Sequence, residues 1–521
     1  MDRPRTLKPL AGRALLVARR LLPAAASGVL LAVSFPSPDL GLAGWIALVP
    51  LTLSLPRASP RRGFVLGFCC GAVFFALLLS WILAVIVRYS GMPMVLCPLP
   101  WLLLVGYLSL YTGLYGWSVA LLARGFGNWA LTAAPLLWTG SEWARGTLLT
   151  GFPWGLLGAS QHRITPVAQV ASLFGVYGLS MLLSGFSAAL CGAICAGPRT
   201  RQGLIALGAA VILPVSALAW GWHRLSARPS SHPSLPVACI QGNGPPEPTE
   251  SQEAESLKSY LLLTRQAADR GAKLVVWPES PNSYGIEMDA AYRRVLVDLA
   301  QSTGSSLVIG SIGGKPGGPY SNSAFLIRPT GEISSGYKKI RLVPYGEYVP
   351  LSRLTPFVRR FVNAIGEFEA GREPAVWIVN EVRLSPLICY EAIFPSLARG
   401  AGLAGGEVLL NLTNDGWFGR SAGPAQHLAL ARMRAIETGR PLVRAAETGI
   451  SAVFDSRGRP LAASRLAERE LILASVAPEE ERTLFLILGD APAEGCAMIS
   501  VVLLASLLLV NRRDSAVLHR G

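Results

Sequence analysis

The chain has 521 residues, 51% of them hydrophobic and only 15% charged, with a mean hydropathy of +0.41. Soluble domains carry about 25% charged residues, so this balance excludes disorder, a collagen-like repeat and a simple cytosolic enzyme, and points to membrane spans joined to something else. The formal net charge of +15 is uneven: residues 1–222 hold 15 Arg and Lys against Asp2, Asp39 and Glu142, and the tail after Asn511 holds three Arg against Asp514. The region between is close to neutral, so no nucleic-acid partner is expected. The excess sits beside apolar runs, where charge asymmetry across a bilayer would put it. Eight cysteines are too sparse for a disulfide scaffold, and five scattered histidines without a CxxC pair indicate no metal site.

In chain order, apolar stretches at 21–35, 40–55, 64–87, 94–122, 129–143, 167–195 and 204–222 read as seven spans. A spanning helix needs about 20 apolar residues, so the first two are short and could form a tight hairpin through Pro36-Ser37-Pro38. Arg19-Arg20 before an apolar run resembles a signal peptide, but further spans follow at once, so the run reads as a retained helix. An eighth span is expected at 497–510. With the N-terminus inside, inner segments hold 15 basic residues and the short outer loops only Arg88, Arg145 and Arg163. This bias predicts cytoplasmic termini and an outer-face location for residues 223–483.

The outer region has another texture. After a linker at 228–236, β-rich runs at 237–240, 273–277, 306–309, 323–327, 384–388, 408–412, 451–454 and 472–476 alternate with helical or loop segments. Helices are expected at 251–270 and 425–438. Such alternation predicts an α/β or α+β domain of about 250 residues. The domain boundaries read as a membrane domain at 1–222, an outer domain at 223–483, and a final span with a cytoplasmic tail at 484–521.

Most cysteines lie in or beside spans, and Cys239 sits in a strand pattern; all read as buried hydrophobes. Cys389 differs, because it ends the apolar run LSPLI and precedes Tyr390-Glu391. It is either another core thiol or a nucleophile held rigidly at a strand end. A nucleophilic cysteine needs a base or a positive charge nearby. His427 is the one histidine in the body of the outer domain. Glu279 follows LVVWP and Lys339 lies in GYKKIRLVPYGE, also at strand ends. Each is individually a surface charge or a member of a site. A Glu against an apolar strand end suits a general base, and a Lys near the thiol would stabilise an oxyanion.

The motifs VVWPES, YKKIRLVPYGEYVP and ICYE resemble the Glu, Lys and Cys motifs of the nitrilase superfamily, in that family's order at intervals of 60 and 50 residues. With the preceding spans, TGFPWGLLGASQ (150–161), TNDGWFG (413–419) and QHLALARMRAIETGRPLVRAAETGIS, the chain resembles the bacterial apolipoprotein N-acyltransferases over almost its whole length. The resemblance implies a multi-span α-helical membrane domain plus an extracytoplasmic nitrilase-like α/β domain, an αββα sandwich. It implies Glu279 as general base, Lys339 rather than Lys338 as the catalytic lysine, and Cys389 as nucleophile. Glu347 would hold the lysine, Tyr390 and Glu391 would support the nucleophile, and Asn414 and Trp417 would lie on the substrate side. Asn322 in YSNS resembles a further family asparagine. The chain departs from the family at Glu447, where R-x-x-N-T-G-I-S is usual, and in GPPEPTES after Asn243, which lacks a tryptophan.

The implied activity is ping-pong acyl transfer through a Cys389 thioester, without metal or other cofactor. The donor would be a phospholipid and the acceptor the free amine of a diacylglyceryl-cysteine apolipoprotein. The setting would be a monomer in the bacterial inner membrane, multi-pass, with the catalytic domain periplasmic. A membrane half suits this chemistry: burying each CH₂ is worth about 0.8 kcal/mol, so drawing a long acyl chain into water would cost on the order of 12 kcal/mol. Residues 351–368 carry apolar side chains near helical spacing and read as either a lipid-dipping lid or a helix on the domain core. Two alternatives stay open on sequence: a membrane-tethered amidase of the same superfamily, and a transporter or scaffold with an inactive enzyme domain.

Overall fold

The computed structural model describes residues 8–227, 233–314, 318–349 and 368–518. In its C-terminal half the strands are β1 (Leu235–Gln241), β2 (Leu274–Val276), β3 (Ser306–Gly313), β4 (Ser321–Ile327), β5 (Tyr337–Lys338), β6 (Trp377–Val379), β7 (Val382–Ile388), β8 (Val408–Thr413), β9 (Leu442–Ala446), β10 (Ala452–Phe454), β11 (Pro460–Ala463) and β12 (Glu470–Val476). They form two six-stranded sheets, ordered β12-β1-β2-β3-β4-β5 and β11-β10-β9-β8-β7-β6. The centre of each is parallel, β1–β2–β3 in one and β7–β8–β9 in the other.

Successive strand side chains point to opposite faces, and here both faces are covered. Val237 and Cys239 of β1 meet Leu384, Ile388, Leu410 and Val443 in the layer between the sheets. The other face of the first sheet, with Ala238, Ile240 and Leu307, lies under Tyr260 and Leu296 of the helices Glu250–Asp269 and Ala290–Thr303. The outer face of the second sheet, with Leu387, Leu409 and Leu442, lies under Ala401 and Ala435 of the helices Pro395–Leu403 and Gly423–Thr438. The result is the αββα sandwich that the motifs imply.

Among the described residues, five helical segments are long and apolar enough to cross a membrane: Pro60–Leu78, Pro98–Thr150, Ala171–Ala196, Arg201–Ser226 and Ala491–Leu509. The stretch at 40–55 folds as two short helices, Ala43–Ile46 and Val49–Ser54. The stretch at 64–87 breaks at Leu79 into Pro60–Leu78 and Ser80–Tyr89. Side chains from elsewhere accompany the break: Gln426 Nε2 donates to the Leu78 carbonyl at 3.2 Å and Trp101 Nε1 to that of Leu79 at 3.0 Å. Helices Pro60–Leu78 and Pro98–Phe126 touch closely through small residues; a Cβ on Gly67 would stand 2.1 Å from the Thr112 carbonyl oxygen.

One apolar core joins the two halves. Ile393, Phe394, Leu430, Met433 and Ile436 of the sandwich belong to the same buried cluster as Phe74 and Leu179 of the membrane helices and Trp154 of the loop at 151–156. Of the segments read from sequence, 351–367 of the lid and 228–232 of the linker lie outside the described residues.

Candidate active site

Three strand ends converge at one edge of the sandwich. Beyond β2 the chain runs through Trp277-Pro278 to Glu279, passing so near β3 that a Cβ on Gly310 would stand 2.5 Å from the Pro278 carbonyl oxygen. Only glycine permits that approach. Lys339 follows β5, its amide donating to the Asn322 carbonyl at 2.8 Å. Cys389 follows β7.

Lys339 is 1% exposed and sits between two carboxylates, its Nζ donating to Glu279 Oε1 and to Glu347 Oε1, both at 3.0 Å. Asn322 Nδ2 donates to the same two oxygens, at 2.7 and 2.6 Å. The remaining oxygens are also occupied: Glu279 Oε2 accepts from the Asn414 amide at 2.9 Å, and Glu347 Oε2 from the Val343 amide at 2.8 Å. Burial works against the lysine charge, but the two carboxylates outweigh it and hold the ammonium well above the usual lysine range. Neighbouring Lys338 instead turns outward to Glu369 at 2.8 Å.

Cys389 is buried and has φ of +50°, a strained value for a residue with a side chain, at the start of a single turn, Cys389–Ile393. Burial, then the Glu279 carboxylate, push its thiol up, while Lys339 pulls the other way. The resting group is therefore a thiol, which needs a base as it attacks.

Glu391 braces this turn. It accepts from the Ile388 amide at 2.6 Å, the Ile340 amide at 2.6 Å, the Arg341 amide at 3.2 Å and the Tyr337 hydroxyl at 2.8 Å. One buried carboxylate thus ties the lysine segment to the cysteine turn. A second brace comes from the helix Gly423–Thr438: His427 Nε2 donates to the Cys389 carbonyl at 3.1 Å, and its Nδ1 lies 2.8 Å from Asp415 Oδ1. Arg444 of β9 closes the network on Asp415 Oδ2 at 2.7 Å and also donates to Asn411. Burial opposes the Asp415 charge, yet Arg444 and His427 hold its carboxyl down at about 2.

The sequence-predicted residues Glu279, Lys339, Cys389, Glu347, Glu391 and Asn322 meet at this edge. Tyr390 packs its ring against Phe394, centroids 5.1 Å apart. Asn414 serves through its backbone; its side-chain oxygen accepts from the Gly416 amide at 3.0 Å. Trp417 stands at the membrane side, its ring 4.9 Å from that of Tyr89. Sequence reasoning missed Asp415, Arg444 and Gln426, and gave His427 no role. For Asp415 the available signal was the alternation Asn411, Thr413, Asp415, two polar residues on the wholly buried β8 and one just past its end.

Residues 27–189 match the family model described as apolipoprotein N-acyltransferase N-terminal domain, and residues 236–484 that of carbon-nitrogen hydrolase. The apolipoprotein N-acyltransferase of Geobacter metallireducens is 38% identical over 512 residues, covering 95% of this chain and 96% of that protein. The chain belongs to the apolipoprotein N-acyltransferase family. Its counterparts of the same name in Vibrio cholerae and Shewanella oneidensis are each 33% identical, over 91% and 95% of this chain and 94% and 96% of their own lengths. Among solved structures, an amidase from Nesterenkonia is similar at 23% identity and a TM-score of 0.39, covering 52% of this chain and 98% of its own. Glu447, where the resemblance led an asparagine to be expected, is buried, its amide donating to the Thr413 carbonyl at 3.0 Å. Its carboxyl accepts from the Gly244 amide at 2.8 Å and from the Tyr260 hydroxyl.

Proposed function

We propose that this chain is an apolipoprotein N-acyltransferase of the bacterial inner membrane, and that Glu279, Lys339 and Cys389 carry the chemistry. The observation that bears the reading is the buried Lys339 held between Glu279 and Glu347 beside the strained Cys389 turn, in a chain whose family is fixed over nearly its full length. Glu279 takes the proton from the Cys389 thiol. The thiolate attacks the ester carbonyl of a phospholipid, and the Lys339 ammonium stabilises the oxyanion. The C–O bond breaks, the lysophospholipid leaves with the proton returned by Glu279, and a thioester remains on Cys389. The free α-amine of a diacylglyceryl-cysteine lipoprotein then attacks that thioester. Glu279 accepts the amine proton and returns it to the departing thiol, which leaves an amide on the lipoprotein. Glu391 and His427 are positioning residues that act through the Cys389 turn. The membrane domain, the outer-face catalytic domain and a monomeric state belong to the same reading.

Intact mass spectrometry of purified protein with phospholipid tests it. Wild type should gain one hydroxylamine-labile acyl group, and Cys389→Ala none. Glu279→Gln should slow acylation by roughly a hundredfold or more. A folded wild type that takes no acyl group from several phospholipids would overturn the donor assignment.

A further inference from the structure

The residues directly after two of the catalytic positions, Ile340 after Lys339 and Tyr390 after Cys389, line a cavity of about 420 Å³. Leu342, Phe368 and Phe394 make apolar wall, and Thr150 reaches in from the membrane domain. Arg341 is the one charged side chain among the described lining residues.

The position of Arg341 is fixed at both ends. Its amide donates at 3.2 Å to Glu391, the carboxylate that also holds Ile388 just before the nucleophile. Its guanidinium stands 5.3 Å from the Phe394 ring centroid and donates one hydrogen bond, at 3.3 Å, to the Thr150 carbonyl oxygen. No carboxylate among the described residues pairs with it. A guanidinium offers five N–H donors in a planar fork, so most remain for a ligand with several acceptor oxygens. The cavity therefore offers an anion-binding head beside an apolar wall, lined by the residues that directly follow Lys339 and Cys389. Of the two substrates in the reaction proposed above, the acceptor brings an amine to the site, which is poorly matched to a cation. The donor brings an apolar chain and a phosphodiester, and phosphate oxygens match the fork geometry.

We propose that Arg341 is the headgroup anchor of the acyl donor: it binds the phosphodiester of a phospholipid and so sets the ester carbonyl against Cys389. This rests on the phospholipid-donor reading and assigns the residue that selects an anionic donor over a neutral ester. The test uses the full-length protein in neutral detergent micelles. Thioester formation is followed by intact mass with phosphatidylglycerol and, separately, with the uncharged ester p-nitrophenyl decanoate. Arg341→Gln should lose at least tenfold in acylation efficiency with phosphatidylglycerol and less than twofold with the neutral ester, and Arg341→Lys should fall between. An equal loss with both donors marks Arg341 as structural and overturns the proposal, as does full retention with phosphatidylglycerol. Wild type acylated by the neutral ester but by no phospholipid would instead remove the donor reading, and this proposal with it.

Discussion

Glu447 keeps its two hydrogen bonds in a place nearly closed to water, and burial raises its carboxyl to about 7 from an ordinary 4.5. The folded-state value is the higher one, so the contribution of the protonated carboxyl is complete below about 4.5, where the unfolded chain also binds the proton. It is lost as pH rises through about 7. The distance between 4.5 and about 7 corresponds to about 3 kcal/mol at pH 8. Glu447→Gln keeps an acceptor for Tyr260 and Gly244 without the charge. Its apparent melting temperature should exceed wild type by several degrees at pH 8, with the gap closing toward pH 4.5. A gap that stays constant across this range would show that the carboxyl does not titrate there. At this scale the sequence conveyed much of the site, since Glu279 and Cys389 each end an apolar strand run and they and Lys339 all sit in recognisable motifs. It concealed the pairing of Arg444 with Asp415, because β9 and the turn after β8 meet only in the fold. The charges look like surface groups until the fold brings them within 2.7 Å.

The helix Gly423–Thr438 is buried along nearly its whole length, and Gln426 uses its full amide capacity on the membrane half. Its Oε1 accepts from the indoles of Trp81 at 3.1 Å and Trp154 at 2.8 Å; its Nε2 donates to the carbonyls of Pro36 at 2.8 Å and Leu78 at 3.2 Å. The next residue, His427, holds the Cys389 carbonyl. One helical turn thus links membrane helices to the nucleophile. Gln426→Leu strands two indoles and two carbonyls in a buried place, at about 1–3 kcal/mol for each group left unpaired. The variant should melt lower and lose at least tenfold in kcat for thioester formation with KM nearly unchanged. A loss in KM alone would refute the positioning role. Elements with strong local pattern were legible: β1, β3, β4, β7, β8 and β12 all contain the runs read from sequence. β9 was not, because Arg444 interrupts its apolar run. β5 and β6 span only two and three residues, too few for an alternation to register. The helix Ala290–Thr303 carried an unread signal, Asp289 capping the amides of Ala291 and Tyr292, and Gly304 in the left-handed conformation at its end.

At the scale of the whole molecule, the continuous apolar core fixes the sandwich to the membrane helices, so the catalytic edge has one height and one side relative to the bilayer. Charge predicts which side. Basic residues crowd the segments that an N-in arrangement leaves in the cytoplasm, and the expected outer loops carry three. The sandwich enters after the helix Arg201–Ser226 and leaves before the helix Ala491–Leu518, so both of these helices bring the chain to the same face. Alkaline phosphatase folds to activity only outside the cytoplasm, whereas green fluorescent protein matures inside it. Phosphatase fused after Ala227 should therefore be active, and fluorescent protein fused after Gly521 should fluoresce. The reverse pair would place the Cys389 site on the cytoplasmic face, where the donor leaflet and the acceptor's side of the membrane would both have to be reassigned. An active phosphatase together with a dark C-terminal fusion would mean that the last helix does not cross.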